Sequence, residues 1–226
     1  MTKKIILVII LSLGFFSSVN LCLGAEPLEV ISYDIRPIGV CEYQDFGPIE
    51  YRGNKANLCI FKTNVAGFKD KEVIISDAQT HLPIVVERDI SIWLHNEKIT
   101  EEYFPKKNSV KLTKFQKGKK VEEFFLKGKA PIQNAILIPF SLRHLAGLKI
   151  GSTFNIVLPG EFRVKLASLE DVTVPAGKFK TYHFTSTPPK FEIWISADKL
   201  RLPVKIKGLG AFSYTLEMKK RISKQR

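Results

Sequence analysis

Apolar and polar residues alternate along most of the chain, from Leu28 to Met218. Successive side chains of a β-strand point to opposite faces, so this alternation indicates strands with one apolar face and one polar face. Helical spacing of apolar residues is scarce by comparison. The clearest runs have their apolar positions at Leu200, Leu202, Val204 and Ile206, and then at Phe212, Tyr214, Leu216 and Met218. The pattern predicts a mainly β protein.

Glycine, proline and asparagine residues divide these runs into about eleven predicted strands, at spacings typical of antiparallel hairpins. Convincing helical spacing is confined to residues 139–148, where Phe140, Leu142, Leu145 and Leu148 share a face. One short helix cannot cover the apolar face of so wide a sheet, and that face must be shielded from water. We therefore expect a curved antiparallel sheet that forms a barrel or half-barrel, or splits into a sandwich, with the helix as a plug or lid.

The first 25 residues have the layout of a secretory signal peptide. Two lysines precede an apolar run from Ile5 to Phe16, which is shorter than the ~20 residues needed to span a bilayer. We expect cleavage near Gly24 or Ala25 and export to the periplasm, with a retained N-terminal anchor helix as the alternative. The remaining chain, residues 26–226, is then expected to form a single domain.

The chain is strongly basic, with a formal net charge of +13, and removal of the first 25 residues leaves +11. Nine lysines lie within residues 106–129, and the tail at 219–226 adds five basic residues. Export and the lack of a recognition motif argue against a nucleic acid partner. We expect an anionic membrane or glycan surface as partner. The alternative is that the charge keeps the protein soluble and protects its edge strands.

Two cysteines, Cys41 and Cys59, remain after the predicted cleavage, and a periplasmic location permits disulfides. Each lies in a strand-like segment, and the turn-rich residues 51–55 between them can fold one strand beside the other. A disulfide across adjacent strands is therefore predicted, worth about 3 kcal/mol through loop closure. Two buried free thiols are the alternative.

The residues that usually mark an enzyme are missing from the sequence. The four histidines are scattered, without the spacing of a zinc site, and there is no nucleophile elbow, phosphate-binding loop or dinucleotide fingerprint. Adjacent acidic pairs such as Glu122 and Glu123 point to opposite faces of a strand, so they are poor acid–base partners. We predict no metal, no cofactor and no enzymatic activity. A hydrolase, which needs a polar cleft of hydrogen-bonded titratable groups, is the remaining alternative.

Several stretches of the chain look like an exported family, domain of unknown function 3108. They are residues 50–53 (EYRG), 77–90 (DAQTHLPIVVERDI), 174–179 (VPAGKF), 193–196 (IWIS) and 202–205 (LPVK). That family is similar in fold to the periplasmic lipoprotein carriers LolA and LolB, in which a curved antiparallel sheet wraps an apolar cavity. The resemblance implies an extracytoplasmic location and the binding of acyl chains, and it assigns no functional residue.

The expected function is that of a periplasmic binding protein that holds a lipid or a lipoprotein acyl chain in the curved sheet, with residues 139–148 gating the cavity. The alternative for each lining residue is ordinary core packing.

The competing function is that of a cell-envelope scaffold with a solid core and a basic outer face. Trp93 and Trp194 lie on the polar side of their strands and are candidate interaction anchors, unless another segment covers them. The candidate lining residues are Tyr33, Phe162, Leu202, Ile206, Phe212, Tyr214 and Leu216.

Overall fold

The alternating runs form one antiparallel sheet of fourteen strands in the computed structural model, which describes residues 26–210 and 213–224. A short α-helix, α1, lies between the eighth and ninth strands, and a 3₁₀ turn at Pro105–Lys107 precedes the seventh. The predicted signal peptide and the candidate lining residue Phe212 lie outside the described residues. The elements are β1 (Glu29–Arg36), β2 (Val40–Tyr51), β3 (Asn54–Val65), β4 (Phe68–Asp77), β5 (Pro83–Ile92), β6 (His95–Phe104), β7 (Ser109–Gln116), β8 (Lys119–Lys127), α1 (Leu137–Leu142), β9 (Thr153–Val157), β10 (Glu161–Val174), β11 (Gly177–Thr187), β12 (Phe191–Ser196), β13 (Pro203–Gly208) and β14 (Tyr214–Ser223).

The sheet contains more strands than the eleven predicted. Very tight turns separate several of them, such as Trp93–Leu94 between β5 and β6 and Lys117–Gly118 between β7 and β8. A two-residue turn leaves almost no polar gap between strands, so alternation alone underestimates their number. Along the sheet each strand pairs with its neighbour in sequence, except that β1 pairs with β14 and thereby joins the two halves.

The sheet is curled but open, because its two edge strands, β8 and β9, do not pair with each other. The segment that follows β8 lies beside β9 instead. The Gln133 N–H donates to the Val157 carbonyl oxygen at 2.7 Å, and Lys129 forms an ion pair with Glu161 at 3.0 Å. The prediction of a curved antiparallel sheet is confirmed, and an open half-barrel describes it better than a closed barrel.

Nearly every strand contributes one face to a single hydrophobic core, into which α1 also packs. The helix is shorter than the predicted 139–148 and begins two residues earlier. Pro139 falls in its first turn, where proline is tolerated. Asn134 Oδ1 accepts hydrogen bonds from the N–H groups of Ile136 at 2.9 Å and Leu137 at 3.3 Å. These N–H groups lie at the start of the helix, where the backbone has no hydrogen-bond partner within the helix itself.

A second, smaller hydrophobic cluster lies on the opposite face of the sheet. A register shift between Asp45 and Gly47 reverses which side chains of β2 face outward. Beyond this irregularity, apolar residues of β2 pack over the outer face of β3, β4 and β5. The cluster is built around Ala56, Leu58, Ile75 and Val85, with Phe46, Ile49, Tyr51, Val73 and Ile84 packed against it.

The structure contradicts the predicted disulfide, because Cys41 and Cys59 are free and buried. The pairing of β2 with β3 places Cys41 opposite Thr63 and Cys59 opposite Asp45. The two thiols are thus four residues apart along the ladder, about 13 Å at the rise of a strand. Cysteines whose Cα atoms are more than about 7 Å apart cannot be bridged without moving the backbone. The alternative of two buried thiols is the one the structure contains.

Candidate ligand-binding cleft

A cleft opens at the end of the sheet where α1 meets the turns between β4 and β5 and between β12 and β13. It consists of two adjoining cavities of about 340 Å³ and about 540 Å³. Both are of the size typical of small-molecule sites, roughly 300–1,000 Å³. The residues that line both cavities are Leu28, Tyr43, Asp45, Phe140 and His144.

Two stacked aromatic rings form the wall that the cavities share. Tyr43 lies on the inner face of β2, and Phe140 projects from α1. Their ring centroids are 3.5 Å apart and their planes differ by 13°. Both side chains are buried. The contact attaches α1 to the sheet, so the helix itself forms one side of the cleft.

The smaller cavity has an apolar portion, and it is also lined by one carboxyl group, that of Asp45, and by two imidazoles. The imidazole rings of His81 and His144 stack with their centroids 4.5 Å apart. Burial and the neighbouring His81 and Arg143 lower the pKa of His144. Burial raises the pKa of Asp45, although the Gly47 N–H donates to its Oδ1 at 2.7 Å. The apolar residues that line this cavity are Leu28, Gly47, Pro48, Cys59, Ala78, Leu137 and Phe140.

The larger cavity is rimmed by cations from three parts of the chain: Arg143 after α1, Lys199 and Arg201 before β13, and Lys224 after β14. The Arg201 guanidinium lies over the Tyr182 ring, with Cζ 4.7 Å from the centroid. Its buried Nη1 finds no hydrogen-bond acceptor among the described residues. The Arg201 side chain lines the cavity, so its positive charge is available to an anionic group that binds there.

One carboxylate in this cavity is neutralised within the protein. Glu29 is 7% exposed and accepts hydrogen bonds from Arg143 at 2.6 and 3.3 Å and from Arg221 at 2.7 Å. Burial works against the charged carboxylate, but the two guanidinium groups outweigh it and lower the pKa of Glu29. The larger cavity therefore has an excess of positive charge.

Most of the candidate lining residues lie in the hydrophobic core. Tyr33, Leu202, Ile206 and Leu216 are buried in it, and Phe162 packs against it. The Tyr33 hydroxyl donates to the Pro203 carbonyl oxygen at 2.9 Å. Tyr214, the first residue of β14, is 44% exposed. None of these residues lines either cavity of the cleft.

The residues that do line the cleft were missed by the sequence analysis. Glu29 and Arg143 are 114 positions apart, and nothing in their local sequence links them. Arg201 sits in a turn with positive φ, a position that strand periodicity does not mark. The available signals were a basic residue within the predicted helix and a charged turn before β13, and neither identifies a partner.

The two tryptophans have different environments. Trp93 is exposed in the β5–β6 turn, whereas Trp194 is buried and stacks on His183, with ring centroids 4.3 Å apart. The Trp194 Nε1–H group donates to Glu170 at 2.7 Å, and His183 Nε2 lies 2.9 Å from Glu192. Trp194 is therefore a buried residue of the main hydrophobic cluster, which contradicts its role as an exposed anchor.

Residues 26–210 and 213–224 contain no group of three histidine, cysteine or carboxylate side chains placed to hold a metal ion. No helix within the same ranges is long and apolar enough to cross a membrane.

Known proteins resemble this chain in sequence and in fold. The family model described as "Protein of unknown function (DUF3108)" matches residues 59–218. A beta-barrel-like protein of domain of unknown function DUF1849 from Brucella abortus is similar in structure, with a TM-score of 0.55 and 11% identity over 89% of this chain and 100% of that one. A protein with a YmcC-like fold from Bacteroides fragilis NCTC 9343 gives a TM-score of 0.30 and 11% identity over 88% and 97% of the two chains. No curated protein matches the sequence.

Proposed function

The chain belongs to the DUF3108 family of proteins of unknown function, and we propose that it is a non-enzymatic binding protein for an amphiphile with a negatively charged headgroup. The ligand binds in the cleft beside α1. Its apolar part occupies the smaller cavity, next to Leu137 and Phe140. Its anionic group occupies the larger cavity, next to Arg143 and Arg201.

The observation that carries this proposal is one cleft in which the smaller cavity has an apolar portion and the larger cavity is rimmed by cations. The Tyr43–Phe140 wall borders both cavities, so a single molecule can contact both. Arg201 lines the larger cavity and forms no ion pair with a carboxylate of the described residues. A bound carboxylate or phosphate would pair with its guanidinium and offset the charge of the neighbouring Lys199.

This location differs from the expected one inside the curved sheet. The side chains expected to line an internal cavity pack as core, and α1 occupies the concave face beside them. A long acyl chain therefore reaches the interior only if α1 moves away from Tyr43. Arg143 opposes that movement, because it ties the end of the helix to Glu29. We propose that α1 gates deeper binding, as expected for the helical segment of the sequence.

A cell-envelope scaffold that acts through its surface is the second candidate. The close packing of Tyr33, Leu202, Ile206 and Leu216 favours it, because a filled core leaves the outside for function. Location in the periplasm, after removal of residues 1–25, is part of both proposals and rests on the signal peptide layout.

A fluorescent fatty acid and its uncharged methyl ester, which has the same acyl chain, test the binding proposal. We expect the purified protein to bind the acid more tightly, because only the acid carries a group for Arg201. Arg201→Gln should weaken binding of the acid about tenfold, as one charge-assisted hydrogen bond is lost, and leave the ester unchanged. Native mass spectrometry of protein purified from cells would show whether such a molecule co-purifies.

The matched control is Arg163→Gln, which removes an exposed arginine of β10 outside the cleft. This variant should bind the acid as the wild type does. If neither the acid nor the ester binds, the binding proposal is wrong and the scaffold is favoured. If both bind equally and Arg201→Gln has no effect, the headgroup assignment is wrong.

A further inference from the structure

Two large apolar side chains stand in solvent at the turn between β5 and β6. Trp93 is 80% exposed and Leu94 is 96% exposed. The flanking Ile92 and the nearby Val121 of β8 are also exposed. We call this surface, residues 92–94 with Val121, the Trp93 tip. It lies at the end of the sheet opposite the cleft, because consecutive antiparallel turns alternate between the two ends.

The backbone beneath Trp93 holds the residue in place. The Trp93 N–H donates to the Gly67 carbonyl oxygen in the β3–β4 turn at 2.8 Å. The indole lies directly over Gly67, where an added Cβ atom would come within 2.8 Å of the Trp93 ring. Trp93 itself has a φ of 52°, an uncommon conformation for a bulky residue. The adjacent hairpin thus fixes an aromatic ring in an exposed position.

Positive charge surrounds the tip. Lys69 of β4, Lys117 and Lys119 are exposed, and no carboxylate lies within ion-pair distance of them in residues 26–210 and 213–224. Lys69 pairs with Ser91, two residues before Trp93. The other two lysines line an open groove of about 640 Å³ that also contains Ile92, Leu94 and Val121.

Three acidic residues lie near the tip. Asp89 forms an ion pair with Lys98 at 3.0 Å, and Glu97 forms one with Lys114 at 2.9 Å. Glu122 follows Val121 and is exposed, opposite Lys114 in the pairing of β7 with β8. The three exposed lysines Lys69, Lys117 and Lys119 therefore leave an excess of positive charge close to the tip.

We infer that the Trp93 tip docks on the surface of a bilayer that contains anionic phospholipid. Trp93 and Leu94 enter the interfacial region, where tryptophan is favoured, while Lys69, Lys117 and Lys119 contact the headgroups. Charge complementarity selects this partner, because apolar residues at a convex turn ringed by unpaired lysines match a negatively charged surface of lipid. The inference is independent of the proposed ligand site.

Co-sedimentation with vesicles tests the inference directly. The protein should bind vesicles of phosphatidylglycerol and phosphatidylcholine, bind much less to phosphatidylcholine alone, and dissociate as salt is raised. The chain has two tryptophans, and Trp194 is buried, so a blue shift of the fluorescence on binding reports mainly Trp93. The shift should be absent in Trp93→Phe.

Leu94→Ser should weaken vesicle binding about tenfold, because one large apolar side chain no longer enters the bilayer. Lys117→Glu combined with Lys119→Glu should weaken it at least about tenfold at low salt. The controls are Ile150→Ser, at another exposed apolar residue, and Lys165→Glu combined with Lys180→Glu, at exposed lysines of β10 and β11. All four variants change exposed residues, and urea unfolding verifies that each is folded.

The inference is supported if the wild type binds anionic vesicles, if Leu94→Ser and the tip lysine variant bind them less, and if the control variants bind them as the wild type does. It is overturned if the wild type does not bind anionic vesicles, or if the controls reduce binding as much as the tip variants. Neither result bears on uptake of the fluorescent fatty acid at the opposite end of the sheet.

Discussion

Arg143 and Glu29, 114 residues apart, form a buried two-point contact that ties the end of α1 to the first strand. The same guanidinium also donates to the Leu200 carbonyl oxygen at 3.2 Å. Arg221 of β14 completes the arrangement from the other side of Glu29. One carboxylate therefore connects the helix, β1 and β14 at the rim of the cleft.

Arg143→Met should destabilise the protein by about 2 kcal/mol, because Glu29 stays buried with only Arg221 as its partner. The free energy of unfolding in urea measures this loss. Glu29 has a lowered pKa in the folded state, so its favourable contribution is present above its unfolded pKa and is lost as the pH falls through the folded value. Acidification should thus cost the wild type more stability than the variant. Equal losses would show that the contact contributes nothing.

Phe140→Ala should cost about 3 kcal/mol, since it removes the ring stacked on Tyr43 and leaves a space in the core. Urea unfolding measures the change. Phe125→Ala, at an exposed phenylalanine of β8, is the matched control and should change stability by no more than about 0.5 kcal/mol. A similar small effect at Phe140 would mean that α1 does not rest on Tyr43.

A group of charged residues is buried on the inner face of β4 and β5. Arg88 forms ion pairs with Asp70 and, at 3.6 Å, with Glu72. Burial raises the pKa of Glu72 to about 7, with Asp70 and Glu101 adding to the rise and Arg88 opposing it. Folded Glu72 therefore holds its proton at a pH where the unfolded chain has lost it.

Stability should accordingly fall as the pH rises from about 4.5, the ordinary pKa of Glu72, to about 7, because the unfolded state binds fewer protons over that range. The decrease attributable to Glu72 is at most about 3 kcal/mol. Glu72→Gln should remove it and raise stability at neutral pH. Urea unfolding across this pH range checks the expectation, with exposed Glu87→Gln on β5 as the control. An unchanged pH profile in Glu72→Gln would contradict it.

Cys41 and Cys59 should react with a thiol reagent only after the protein is denatured, even when it has been purified without reductant. Burial raises the pKa of both thiols, that of Cys59 to about 12, so the reactive thiolate is scarce in the folded state. Quantification of thiols with and without denaturant tests this. The opposite outcome is that the two cysteines do not react in denaturant alone and react once reductant is added. That result would indicate a disulfide and would contradict the register of β2 and β3.

The sequence by itself determined that the protein is a curled antiparallel sheet, because side-chain alternation and turn residues are local properties of each segment. The scarcity of helical spacing was equally readable, and it implied that the sheet must bury its own apolar face. The strand count was underestimated where turns such as Trp93–Leu94 have only two residues.

Only the tertiary structure decided which residues meet. The register of β2 and β3 separates Cys41 from Cys59, because the hairpin turns at residues 52–53 and not midway between the two cysteines. The closure of β1 against β14 brings Glu29 to Arg221, and the packing of α1 brings Arg143 to both. Such contacts depend on distances between segments far apart in the chain, so the cleft emerges only when the whole sheet has curled.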